Sequence, residues 1–177
     1  IDADFFNDTT AIDDGTFFRE LMEEENANPV MHPYVARTEL TFNKVAQRFI
    51  EEGYIHVYEY DEFLPTNIQK KMYQMNVTQL YNLGEILTEL MAKELNITAF
   101  LSDDHGSKRI ADRHINSSKY HLDVKNLPEI LRDIGEKADK KISWQNVKHC
   151  LNHTDDEGNT KFAKYKDKLR PLWIDKT

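Results

Sequence analysis

Residues 83–113 constrain the fold more than any other part of the chain. Apolar residues recur there at helical spacing, at Leu83, Leu87, Leu90, Met91 and Leu95. Residues 97–101 then form a short apolar run rich in residues that favour strands, and Asn96 marks the break between the two patterns. A buried strand between two helices is typical of an open α/β sheet, so this stretch predicts an α/β fold.

Two adjacent acidic residues, Asp103 and Asp104, follow the predicted strand. Ligands of open α/β sheets bind outside the carboxyl ends of the strands, where these residues would lie. Because adjacent carboxylates repel each other, such a pair is commonly found where water, a helix N-terminus or a cation compensates the charge. One of the two acids would equally well cap the helix predicted to begin near Gly106. The pair therefore predicts either a ligand-binding edge or a helix cap.

The composition predicts one globular domain without disulfide bonds. A chain of 177 residues with 40% hydrophobic and 31% charged residues is long enough to bury a core. Cys150 is the single cysteine, which excludes an internal disulfide. No apolar run approaches the roughly 18 residues of a membrane span, and no secretory signal pattern is present. We therefore expect a cytoplasmic protein with no membrane partner.

Charge is distributed unevenly over the chain, whose formal net charge is −8. Residues 1–104 contain 7 Lys and Arg against 20 Asp and Glu, a balance of −13. Residues 105–177 contain 16 against 11, a balance of +5. An acidic centre beside a basic flank is compatible with a polyanionic partner, whereas the overall acidity argues against indiscriminate binding to nucleic acid.

The remaining elements are predicted from apolar spacing and from breaks at Pro, Gly and Asn. In chain order they are a strand at 1–6, a helix at 17–22, a strand at 30–32, a helix at 34–53, a strand at 54–60, a helix at 66–75, a strand at 120–124 and a helix from Asn126. Residues 137–177 are predicted to form a helical C-terminal appendage. It has an amphipathic segment around Trp144 and a basic, aromatic tail at 161–173.

Acidic residues recur along the chain in an ordered set of short motifs. The motifs are Asp2 with Phe5 and Phe6, Val35 with Glu39, Gly84 and Glu85 with Leu90 to Ala92, and Leu101 to Asp104 with Arg109 to Ala111. Each motif is weak alone. In their order and spacing, however, they resemble the motifs of the PIN-domain nuclease family over roughly residues 1–134.

The resemblance implies a fold and an activity. The fold would be a Rossmann-like α/β/α sandwich with a mainly parallel central sheet over residues 1–136, and residues 137–177 would pack on the same domain. The activity would be hydrolysis of phosphodiester bonds, of RNA in preference to DNA, with Mg²⁺ or Mn²⁺. Some relatives are toxins, so an antitoxin protein and a second copy of the chain are candidate partners beside the nucleic acid.

The resemblance also implies roles for individual residues. Asp2, Glu39, Glu85 and Asp103 would be the catalytic metal ligands, with Asp104 as a further acid at the metal. Such an oxygen-rich site, without a Lys or Arg within its motifs, suits a hard divalent cation. The basic residues that would contact substrate phosphates are Lys108, Arg109 and Arg113. Ala3 and Asp4 depart from the family pattern after the first Asp, which leaves the number of metal ions and the subfamily open.

Two other functional interpretations remain open. In a haloacid-dehalogenase-like phosphatase, Asp2 and Asp4 would be the nucleophile and the acid at a strand end. That scheme leaves Glu39 and Glu85 without a role. Alternatively, the chain would be a PIN-like binding module whose acids hold no metal in a productive geometry.

Other candidate sites have plain structural explanations. Acids at helix starts, such as Glu39, are commonly solvated residues favoured by the helix dipole. His149 and His153 share a helix face, but a zinc site would need a third ligand at suitable spacing. The lysines interleaved with Phe162 and Tyr165 could follow a nucleic-acid backbone, although such a run more often forms a solvated helix face.

Overall fold

The computed structural model describes residues 1–58, 83–153 and 160–174. The helix predicted at 66–75 and the end of the strand predicted at 54–60 lie outside these residues. The chain divides into two compact units, one of Ile1–Phe5 with Pro29–Lys125 and one of Phe6–Asn28 with Asn126–Thr177. This division differs from the predicted boundary at 136/137, and a separate C-terminal appendage stays a prediction.

Short parallel strands pair side by side in the first unit. β1 (Val30–Met31) pairs with β2 (His56–Val57), and β3 (Ala99–Leu101) pairs with β4 (Asp123–Lys125). Each strand falls in or next to a predicted one but is shorter. The predicted strand at 120–124 is displaced towards the C-terminus, because Tyr120 instead forms an isolated antiparallel bridge with Ser117.

The first two residues of the chain are hydrogen bonded to both strand pairs. The Ile1 amino group donates to the carbonyl of Val30 at 3.0 Å. The Asp2 amide donates to the carbonyl of Leu101, also at 3.0 Å. The backbone of Ile1 and Asp2 therefore contacts β1 on one side and β3 on the other.

The strand predicted at residues 1–6 is wrong after Asp2, because Ala3–Thr10 form helix α1. The Asp2 carboxylate accepts a hydrogen bond from the Phe5 amide at 2.8 Å, as an N-cap residue does. Phe5 and Phe6 are fully buried on this helix. Two adjacent apolar residues fit a buried strand or a buried helix equally well, so periodicity alone could not separate the two.

The single helix predicted at 34–53 is also wrong, because the chain breaks it in two. Val35–Glu39 form a five-residue π-helical turn, and helix α3 begins only at Lys44 and ends at Glu51. The Asn43 side chain accepts a hydrogen bond from the Ala46 amide at 3.0 Å and so caps the second piece. Phe42 lies within the predicted helix and would continue its apolar spacing, but its side chain is 95% exposed at the break.

The helix–strand–helix pattern predicted at residues 83–113 is confirmed. Helix α4 spans Leu83–Glu94, β3 follows it, and helix α5 (His105–Ile110) continues into a π-helical turn at Ala111–Ile115. Buried residues of these elements and of β4 form one apolar cluster, composed of Ile86, Leu90, Ala92, Phe100, Ala111, Ile115, Leu122 and Val124. This cluster fixes α4 against β3, the strand that Asp103 and Asp104 follow.

The second unit is helical in its described residues. Its elements after α1 are α2 (Thr16–Glu24), α6 (Leu127–Glu136), α7 (Trp144–Leu151), α8 (Lys166–Leu169) and α9 (Pro171–Ile174). Asn126 and Glu129 form a capping box at the start of α6. A Cβ added to Gly135 would lie 2.6 Å from the Trp173 ring, so α6 and α9 approach each other closely there.

The described residues thus form a mixed helix and strand fold with short parallel strands, in agreement with the predicted class. None of the helices in the described ranges combines the length and the apolar character that crossing a membrane requires.

Candidate functional site

Asp2 lies at the point where the chain contacts β1 and β3 and is 2% exposed. One carboxylate oxygen, Oδ1, accepts the hydrogen bond from the Phe5 amide. The other, Oδ2, is buried with no hydrogen-bond partner among the described residues. Burial raises the pKa of Asp2 to about 7, although the nearby Ser102 hydroxyl and the Phe5 amide act to lower it. Asp2 is therefore both a helix cap and a buried acid with one unused oxygen.

The end of β3 carries a small hydrogen-bonded network. Buried Ser102 donates its amide to the carbonyl of Lys125, and its hydroxyl lies 2.8 Å from that of Ser107. Asp104 accepts a hydrogen bond from the Gly106 amide at 2.7 Å and N-caps α5, so the predicted helix cap at this pair is Asp104. Asp103 lies buried between Ser102 and Asp104. Ser102 was not predicted as a site residue, although it lies within the Leu101 to Asp104 motif.

Glu39 ends the π-helical turn and lies against the start of α4. A Cβ added to Gly84 would be 2.5 Å from Oε1 and 2.7 Å from Oε2 of Glu39. These distances are shorter than any ordinary contact, so this position of the Glu39 carboxylate requires glycine at residue 84. The absence of a side chain at Gly84 thus leaves room for the Glu39 carboxylate beside Glu85.

The acidic side chains in this region influence one another electrostatically. Partial burial raises the pKa of Glu39, and the charges of Asp2 and Asp4 raise it further. Partial burial also raises the pKa of Glu85, with further contributions from Asp104, Glu39 and Asp4. No lysine or arginine of the described residues is among the groups that shift these values. Acids from the chain start, the π-helical turn, α4 and the end of β3 therefore share one region.

Glu89 also belongs to this region and was missed by the sequence analysis. It follows Glu85 by one helical turn on α4 and is 0% exposed. Burial raises its pKa to about 9, and the charges of Glu85, Asp104, Asp112 and Asp2 add to that rise. Its spacing of four residues from Glu85 was a usable signal, because residues four apart lie on the same helix face.

The donor atoms have the chemistry of a divalent cation site, but the geometry is not preformed. No group of three or more His, Cys, Asp or Glu side chains in the described ranges is arranged to hold a metal ion. Carboxylates that repel one another are expected to spread apart when no cation draws them together. Oxygen donors are what Mg²⁺ and Mn²⁺ select, and buried Asp2 and Glu89 oxygens have no hydrogen-bond donor among the described residues.

The predicted substrate-binding residues lie just beyond the acidic residues in sequence. Lys108 and Arg109 are exposed in the last turn of α5, and Arg113 is exposed in the π-helical turn that follows. Their role in phosphate binding stays a prediction. The tail is partly engaged within its own unit, because Lys161 forms an ion pair with Asp8 at 2.6 Å and Lys164 lies over the Tyr165 ring.

Comparison of the chain with family models, with curated proteins and with solved structures finds no match.

Proposed function

We propose that the protein is a metal-dependent nuclease that hydrolyses phosphodiester bonds of RNA. The observation that carries the proposal is that the Glu39 carboxylate lies against Gly84, beside Glu85, where acids from the chain start and the end of β3 also raise the pKa values of Glu39 or Glu85. Like charges that lie together at a cost to stability are typical of functional sites. The resemblance to PIN-domain nucleases rests on the same residues.

The position of the chain start supports a Rossmann-like topology. If Ile1 and Asp2 count as a strand position, the hydrogen bonds give the spatial order β2, β1, Ile1–Asp2, β3, β4. Chain order reverses at the centre of this arrangement, as it does in doubly wound sheets, and such sheets bind ligands at that switch point. We infer a Rossmann-like α/β/α sandwich in which Asp2 lies at the switch point and Asp103 follows the neighbouring strand.

The carboxylates would divide the work of binding and positioning. Asp2, Glu39, Glu85 and Asp103 would hold the divalent cation, with Asp104 close by while it caps α5. When bound, such a cation orients a water, lowers its pKa and stabilises the charge that grows on the phosphate and the leaving oxygen. The capping bonds of Asp2 and Asp104 hold these two acids at fixed helix ends, which limits how far their side chains can move.

Partners follow from the proposed activity. RNA would reach the acids past the exposed side chains of Lys108, Arg109 and Arg113, which would contact its phosphates. In a toxin–antitoxin pair, an antitoxin protein would bind the same chain. We also propose a cytoplasmic location, from the composition, and a homodimer, from the resemblance.

The proposal is tested by incubating the protein with single-stranded RNA, single-stranded DNA and p-nitrophenyl phosphate, each with Mn²⁺ or with a chelator. We expect Mn²⁺-dependent cleavage of RNA that is lost in Glu85→Gln. Turnover of p-nitrophenyl phosphate without RNA cleavage would instead identify a phosphatase. Absence of both activities, with RNA still bound, would identify a binding module.

A further inference from the structure

Glu89 is a buried acid that neither the apolar core nor the predicted site explains. Its side chain is 0% exposed, and neither Oε1 nor Oε2 has a hydrogen-bond partner among the described residues. A buried polar group without a partner destabilises the fold, and an ionised one does so more strongly. A residue that served only to pack the core would be apolar at this position.

An ion pair within the helix does not account for Glu89. Lys93 lies four residues later, the spacing at which a glutamate and a lysine pair on a helix. Its ammonium group instead donates to the carbonyl of Ile115 and lies 5.9 Å from the centre of the Tyr120 ring. The cation nearest to Glu89 in sequence is therefore engaged elsewhere.

Burial is the main cause of the raised pKa of Glu89, and acidic groups from several elements add to it. They come from α4 itself through Glu85, from the end of β3 through Asp104, from the second π-helical turn through Asp112 and from the chain start through Asp2. Three of these four residues belong to the acidic region of the candidate site. The two buried oxygens without a hydrogen-bond partner thus belong to a residue on which three acids of the candidate site act electrostatically.

We propose that Glu89 is a further ligand of the divalent cation site, beneath Glu85 on the same face of α4. The proposal rests on the proposed metal-dependent function. A bound divalent cation would bring positive charge to Glu89, whereas the Lys93 ammonium is engaged by the Ile115 carbonyl and the Tyr120 ring. It would use the two oxygens that have no donor, and carboxylate oxygens are the preferred ligands of such a cation.

The test is the affinity of the full chain for Mn²⁺, measured by calorimetric titration, in the parent protein, Glu89→Gln and Glu94→Gln. Glu94 is an exposed acid at the end of the same helix and serves as the matched control. We expect at least a tenfold loss of affinity in Glu89→Gln, the scale seen when groups at a metal site are altered, and parent-like affinity in Glu94→Gln. Metal-free melts of the three proteins show whether each is folded.

If Glu89→Gln folds and binds Mn²⁺ as tightly as the parent, Glu89 is not a ligand. It would then be an acid buried in the core without a role at the metal. If Glu89→Gln does not fold, Glu89→Leu replaces it, because an apolar side chain removes both orphaned oxygens without leaving a polar group buried. Retained affinity in that variant would overturn the role equally. If the parent protein binds no Mn²⁺, the proposed metal-dependent function itself is wrong. If the parent binds Mn²⁺ and only the Glu89 variants lose affinity, the ligand role of Glu89 is supported as well.

Discussion

At the scale of single residues, the acids of this chain have two roles at once. Asp2 caps α1 with one oxygen and keeps the other buried without a partner. Asp104 caps α5 while its charge acts on Glu85. A helix cap and a role at the ligand-binding edge, the two alternatives predicted for the Asp103–Asp104 pair, are therefore compatible. In Asp2 the capping bond uses one oxygen, and the second has no hydrogen-bond partner among the described residues.

Gly84→Ala tests the contact between Gly84 and Glu39. The new methyl group would meet the end of a flexible side chain, so Glu39 can move away and the fold should persist. Because alanine is favoured over glycine within helices, metal-free stability should be unchanged or higher by up to about 1 kcal/mol. Affinity for Mn²⁺ should fall about tenfold, since Glu39 is displaced. Chemical denaturation and Mn²⁺ titration measure the two effects.

A double-mutant cycle with Glu39→Gln is the control for that prediction. If Gly84→Ala acts through Glu39, it should change Mn²⁺ affinity little once the Glu39 carboxylate is gone. Equal losses in both backgrounds would mean that Gly84 affects the site by another route.

The raised pKa of Glu89 predicts a pH dependence of stability in the metal-free protein. The folded chain holds a proton that the unfolded chain releases near pH 4.5, so this stabilising contribution is present at low pH and is lost as pH rises towards about 9. The parent should therefore lose stability across about pH 5 to 9. In Glu89→Gln, the unfolding free energy should fall less steeply with pH, by the amount that corresponds to about one bound proton. Equal slopes in parent and variant would contradict the buried, protonated state.

At the scale of elements, the sequence predicted those helices and strands in which the spacing of apolar residues is unambiguous. Helix α4 and β3 were predicted because long apolar spacing and a compact β-forming run adjoin each other. The helix at Ala3–Thr10 was not predicted, because its apolar signal is mainly the pair Phe5 and Phe6. Its N-cap residue, Asp2, fits the end of a strand equally well. The break at Leu40 to Asn43 was missed because Phe42 continued the apolar spacing, whereas tertiary structure leaves it exposed.

Asn43→Ala tests whether the cap at the break stabilises α3. Loss of the hydrogen bond to the Ala46 amide should cost about 1 kcal/mol of unfolding free energy. Phe42→Ala is the neighbouring control and should change stability little, because the ring is 95% exposed. Denaturant unfolding of both variants measures this. A larger loss from Phe42→Ala than from Asn43→Ala would indicate that the helix break is incorrectly assigned.

At the scale of the whole molecule, charge asymmetry was visible in the sequence, but the grouping of the acids was not. Spacing along the chain cannot show that Glu39 lies against Gly84 or that Lys93 donates to the carbonyl of Ile115. Those facts depend on packing between distant segments. The resemblance named four acids from separate sequence motifs, whereas Glu89 was recognised from its burial in the structure.

The salt dependence of RNA binding should distinguish the two basic regions. Replacing Lys108, Arg109 and Arg113 by Ala should weaken binding and reduce the slope of log K against log salt by about 2, because each neutralised phosphate of a single strand contributes about 0.7. Replacing Lys164, Lys166 and Lys168 by Ala removes the same charge from the tail. That control should leave the slope unchanged, as expected of a solvated helix face. The reverse result would assign substrate binding to the tail.

The central claim is that the acidic residues form a divalent cation site, and thermal melts with and without Mn²⁺ in the parent and in Asp2→Asn test it most directly. Asn can also cap α1, so the metal-free variant should be folded and at least as stable as the parent, since one buried acid is removed. At a hundred times its dissociation constant, Mn²⁺ should stabilise the parent by about 2.7 kcal/mol and the variant by much less. Asp13→Asn, an exposed acid in the second unit, should keep the full gain. A destabilised Asp2→Asn with an undiminished response to Mn²⁺ would contradict the claim.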